Sequence, residues 1–122
     1  MGAKILIADD EEGNRKILEI RLKAKGFEVI SAEDGTAALR KFEAERPDLV
    51  ILDVSMPPPN GFQVCQKLKS HPDHYKTPVI LLTSKGMEKD RFWGMEAGAD
   101  EYMTKPFNAE ELYNKIKTLI EK

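Results

Sequence analysis

An alternation constrains this chain more than any other feature: short apolar runs recur between longer segments of helical periodicity. The runs are KILIA at 4–8, FEVIS at 27–31, DLVILD at 48–53, PVILLT at 78–83 and EYMT at 101–104. The first, third and fourth are continuously apolar, the pattern of strands covered on both faces in a parallel sheet. Residues 12–25, 35–45, 61–69 and 88–97 are helix candidates between them, with Gly26 as the stop of the first. In the last helix Leu112, Ile116, Leu119 and Ile120 form one stripe. Five strands alternating with five helices predict right-handed crossovers and an α/β fold, a doubly wound five-stranded parallel sheet. The 122 residues suit a single domain over 1–122, with no long linker or repeat to divide it.

Composition then removes several function classes. Nineteen basic residues against 21 acidic ones give a formal charge of −2, without the broad basic surface that nucleic-acid backbones demand. Direct nucleic-acid binding is therefore not expected. No apolar run approaches the roughly 20 residues of a membrane-crossing helix, so no membrane partner is expected either. A single cysteine, Cys65, forbids an internal disulfide and fits a reducing compartment, and the cytoplasm is the expected location. Cys65 reads as a small packing residue of the third helix.

In doubly wound sheets, ligands gather beyond the carboxyl ends of the strands. Those ends carry Asp9 and Asp10 after the first strand, Asp53 closing the third, Thr83 and Ser84 closing the fourth, and Lys105 after the fifth. Three carboxylates from bent or separate segments, with room for waters, suit Mg²⁺. Glu11 and Glu12 fall in the first turn of a helix, where the dipole favours negative charge. Beside such an ion an aspartate can act as a nucleophile toward a phosphoryl group. Asp53 is the best placed, because a fully apolar strand holds it. Lys105 would add a positive charge and Thr83 a hydroxyl donor.

The blocks ILIADDEE, LVILDVSMPPPNGF, PVILLTS and AGADEYMTKPF, in this order and spacing, resemble the receiver domain of two-component response regulators over nearly the whole chain. The resemblance implies the strand order 2-1-3-4-5 of the CheY-like, flavodoxin-like folds. It implies that Asp53 accepts a phosphoryl group from a histidine kinase. Asp9, Asp10, Asp53 and the backbone carbonyl of Ser55 would then hold Mg²⁺, Asp10 more directly than Asp9. Thr83 would be a switch hydroxyl, Tyr102 the aromatic that follows it inward, Lys105 a phosphate contact, and Lys105–Pro106 a cis peptide. It further implies a signalling switch rather than an enzyme acting on outside substrates. Output would come from a target protein on the face of the fourth helix, fifth strand and fifth helix, or from a phosphorylation-dependent dimer.

Pro57, Pro58 and Pro59 depart from the family's usual single proline and stiffen the loop beside the acceptor. Asn60 and Gly61 still supply turn chemistry. Ser55 and Lys85 stand where side chains govern water access and hence the lifetime of the phosphorylated state. A haloacid-dehalogenase-type phosphatase would need a second Asp where Ser55 stands. A flavodoxin-like cofactor binder would need a hydroxyl- and glycine-rich loop where ADDEEGN stands, and neither a Walker loop nor a G-x-G-x-x-G fingerprint occurs. The remaining alternative is a degenerate receiver, a phosphorylation-independent interaction module. His71 and His74 read as solvated loop histidines rather than metal ligands, and Phe92 and Met95 as core residues of the fourth helix. Trp93 is expected to be partly buried against the neighbouring strand.

Overall fold

The computed structural model describes residues 2–84 and 96–121. Its strands are β1 (Lys4–Ala8), β2 (Glu28–Ala32), β3 (Leu49–Asp53), β4 (Val79–Ser84) and β5 (Glu101–Lys105), all parallel, in the order β2-β1-β3-β4-β5. The helices are α1 (Glu12–Ala24), α2 (Gly35–Glu45), α3 (Gly61–Ser70) and α4 (Ala109–Ile120). Among the described residues there are thus four helices rather than the five expected. The expected helix at 88–97, with Phe92, Trp93 and Met95, lies outside them apart from its last two residues.

The period-two geometry of strands explains the two-sided core. Leu6, Ala8, Val50, Leu52, Val79 and Leu81 face α2 and α3, where Phe42, Val64 and Leu68 meet them. The intervening Ile5, Ile7, Leu49, Ile51, Ile80 and Leu82 face α1 and α4, where Leu18, Leu22, Leu112 and Ile116 meet them. Every residue of β3 is buried, so the strand ending in Asp53 is immobilised from both sides. Cys65 packs in the first cluster, where burial pushes its thiol up to about 12.

Helix ends follow local chemistry. Gly26, at φ +92°, closes α1: its N–H donates to the Lys23 carbonyl (3.0 Å) and that of Phe27 to Leu22 (3.2 Å). These are the two bonds of a Schellman cap, and they explain why a glycine stands there. Asp34 caps α2 by accepting from Ala37 N–H at 2.7 Å. Asn60 and Gln63 form a reciprocal capping box on α3.

The expectation of solvated loop histidines is overturned for His74, which is 2% exposed. Its Nδ1 lies 3.1 Å from an Arg46 guanidinium nitrogen and its Nε2 2.6 Å from Glu43 Oε1, while Phe42 (4.8 Å, edge-on) and His71 (4.0 Å, stacked) pack its ring. A guanidinium only donates, so Nδ1 accepts and the Nε2–H donates to Glu43. That donation holds the Glu43 carboxyl below its ordinary range. Glu43, His71 and His74 present donor atoms within 4.8 Å of one another, yet the lone pair a metal would need on His74 Nε2 is replaced by a proton. The cluster therefore clasps the end of α2 to the segment between α3 and β4.

Phe42, 1% exposed, anchors both α2 and this clasp. Phe42→Ala should cost about 3–5 kcal/mol of unfolding free energy, measured by urea denaturation with an unchanged m-value.

Candidate functional site

The strand order reverses between β1 and β3, and the candidate residues gather there. Asp9, at 6% exposure, follows β1 directly and has each polar atom assigned. Its N–H donates to the Ala32 carbonyl (3.2 Å), its carbonyl accepts from an Arg15 guanidinium nitrogen (2.9 Å), and its Oδ1 accepts from Glu11 N–H (2.9 Å). Its Oδ2 lies 3.4 Å from the Lys105 ammonium. Asp53, 4% exposed, ends β3; its Oδ1 accepts from the Ser55 N–H (3.2 Å) and hydroxyl (3.1 Å), and its Oδ2 lies 3.5 Å from the same ammonium. Asp10 is exposed and completes a trio whose carboxylate oxygens lie within 4.8 Å of one another.

Thr83 is buried on β4, one step beyond Leu82, the register partner of Asp53. Tyr102 is partly buried on β5, packed against the cluster under α2 and α3. The Lys105–Pro106 peptide is cis, as is Pro58–Pro59. Lys85 and the side chain of Ser84 lie outside the described set.

Two residues at this edge escaped the sequence reading. Gly61 supplies more than turn chemistry, because a Cβ there would lie 2.6 Å from the Asp53 carbonyl oxygen and 2.8 Å from Val54 Cα. Any side chain would push the start of α3 off the acceptor strand. Arg15 leaves the nearby carboxylates alone and bonds the Asp9 carbonyl. Neither role has a local sequence signal, since each depends on how close two segments come in space.

The electrostatics are unbalanced. Burial, and next the charge of Asp53, raise the Asp9 carboxyl above its ordinary range, opposed by the Glu11 N–H and the Lys105 ammonium. Among the described residues, three carboxylates face one ammonium, an excess of negative charge. Hard oxygen donors at this spacing fit a small divalent cation that keeps several waters.

The profile of the response regulator receiver domain matches residues 5–117. The chain belongs to the response regulator receiver family. Two curated relatives are the protein named "Probable transcriptional regulator ycf27" of Cyanophora paradoxa, 48% identical over 96% of this chain and 48% of its own length, and the alkaline phosphatase synthesis transcriptional regulatory protein PhoP of Bacillus subtilis (strain 168), 42% identical over 98% and 49%. The receiver thus spans about half the length of these relatives. Among solved structures, the chemotaxis protein CheY4 of Vibrio cholerae superposes with a TM-score of 0.89 at 32% identity, over 98% of this chain and 99% of that one. Receivers of this family are signalling domains of two-component systems, so the family and the strand order expected from the four sequence blocks hold.

The raised Asp9 carboxyl gives a prediction with a definite sign. The folded state binds the Asp9 proton more tightly than the unfolded state, so this group costs stability as pH rises from its ordinary value of 3.8 through its folded value. Without divalent metal at pH 7, Asp9→Asn keeps the acceptor for Glu11 N–H and should raise the melting temperature. The gain should vanish below about pH 3.8, where the native carboxyl is protonated in both states. Thermal melts across pH, native against variant, measure it.

Proposed function

We propose that the whole chain, 1–122, is one receiver domain that acts as a phosphorylation-controlled switch, accepting a phosphoryl group on Asp53 from a histidine kinase in the cytoplasm. The observation that carries this reading is the charge deficit around a rigid acceptor: two buried carboxylates share one ammonium at 3.4 and 3.5 Å, with Asp10 beside them. Asp9, Asp10, Asp53 and the Ser55 backbone carbonyl would hold Mg²⁺, which when bound supplies positive charge for the transferring phosphoryl oxygens.

The chain's own residues do the rest. The buried β3 strand fixes Asp53 as nucleophile, so little orientation entropy remains to be lost. Lys105 already lies within ion-pair reach of Asp53 Oδ2 and would follow the new charge onto the phosphoryl group. Thr83, on the neighbouring strand, would donate its hydroxyl to the same group, and Tyr102 would move inward with it, biasing two conformations of the fold. Output would pass through β5, α4 and the helix expected at 88–97, which lies largely outside the described residues, to a target protein or to a second copy. For the relatives named as transcriptional regulators, an effect on DNA would come from the half that this chain does not match.

The kinase would approach along a groove of about 410 Å³ between α1 and α4. Asp9 and Lys105 line it together with Ile17, Phe107 and Tyr113. Ile17, 54% exposed, is an apolar side chain that a partner helix laid over the groove would cover.

Intact mass after incubation with acetyl phosphate tests the chemistry. A single phosphoryl addition should require Mg²⁺ and disappear in Asp53→Ala. No addition in the folded native protein would favour the phosphorylation-independent interaction module. Ser55→Ala removes a hydroxyl that donates to the acceptor carboxylate at 3.1 Å, so it should speed addition roughly threefold, read as the rate of mass gain.

A further inference from the structure

We propose that Arg15 is a positioning residue for the acidic site. It clamps the peptide between Asp9 and Asp10 so that the two carboxylates are set for a divalent cation. This rests on the reading that the acidic trio holds Mg²⁺. Arg15 stands in the second turn of α1, partly buried, and its guanidinium reaches back to the Asp9 carbonyl oxygen at 2.9 Å. That is an unusual use of a cation surrounded by acid. Asp9, Asp10, Glu11 and Glu12 all stand within six residues of it, yet it makes no ion pair with any of them.

The choice of acceptor has a consequence. The Asp9 carbonyl belongs to the peptide plane that leads into Asp10. The N–H of Asp9 is tied to β2 through Ala32, its Oδ1 is tied to Glu11, and the Arg15 bond fixes the remaining free element of that turn. Without it the plane could rotate about its flanking bonds, carrying the exposed Asp10 carboxylate away from Asp9 and Asp53. A buried anchor and an exposed ligand, joined by one peptide, need that peptide held. Arg15 holds it while leaving the carboxylates' charge uncancelled. Groups that orient metal ligands from outside typically contribute 10–100-fold in metal affinity.

The proposal makes a prediction opposite in sign to simple electrostatics. A positive charge near a cation site opposes the cation, so loss of the charge alone would tighten Mg²⁺ binding. Arg15→Met should instead weaken it by ~10-fold, measured by calorimetric titration with MgCl₂ at fixed ionic strength, and Arg15→Lys, which keeps a donor and the charge, should recover much of the loss. Metal-free melting temperatures should stay within about 2 °C of the native value, since the bond lies at the margin of the core. A second readout uses no metal: amide hydrogen exchange should accelerate at Glu11 in Arg15→Met while the core amides of Leu6 and Val50 keep their protection. Unchanged or tighter Mg²⁺ binding in a folded Arg15→Met protein overturns the clamp. If the native protein itself takes up no Mg²⁺, or Asp10→Asn binds it equally well, the metal reading fails instead. Unaltered protection at Glu11 then overturns the clamp as well.

Discussion

Two carboxylates buried at the ends of adjacent parallel strands, sharing one ammonium from a third, are the arrangement on which the rest of this edge depends. The ammonium is not close enough to either partner for a strong hydrogen bond, at 3.4 and 3.5 Å, and it cannot neutralise both. Taking a charge out of water costs several kcal/mol even after relaxation, and one shared cation recovers only part of that. The site is therefore a place where the folded state is held against its own electrostatics. The unusually complete burial around β3 is what makes this tolerable.

That burial follows from sidedness. Because alternate residues of β1, β3 and β4 face opposite helix layers, each central strand is apolar on both faces and carries polar groups only where it emerges. Polar chemistry is thereby pushed to the strand ends. The crossover that places β2 and β3 on opposite sides of β1 then brings the first and third strand ends together. Neighbouring strands lie about 4.8 Å apart, so carboxylates that follow paired strands meet without further help. The charge crowding is a consequence of topology, not of a special loop.

This is also why much of the site was legible in the sequence. Continuous apolar runs announced the central strands, and the residues ending them announced the edge; Gly26 and Asn60 announced helix boundaries through backbone chemistry that acts within a few residues. The four motif blocks added roles that spacing alone could not assign. What failed to show was whatever depends on distant partners. His74 reads as a loop histidine until Glu43 and Arg46, 31 and 28 residues away, are brought against it. Gly61 reads as a turn residue until the Asp53 carbonyl is found where its Cβ would stand. Arg15 reads as one more charge on a solvated helix face, because nothing local says that its partner is a carbonyl.

A site built this way couples stability to occupancy. Burial and the Asp53 charge raise the Asp9 carboxyl, so its surroundings disfavour the ionised form that a cation would favour. Any cation bound by the folded state alone relieves that cost and adds RT ln(1 + [L]/Kd), about 2.7 kcal/mol at a hundred times Kd. Under the proposed function, a phosphoryl group on Asp53 would replace one negative charge with roughly two, in a position from which Lys105 would be drawn away from Asp9. The ammonium would then be redistributed rather than newly recruited, and Asp9 would keep the Glu11 N–H and a bound cation as its remaining support. The same imbalance that makes this edge costly is what would let a partner tell a phosphorylated form from an unphosphorylated one.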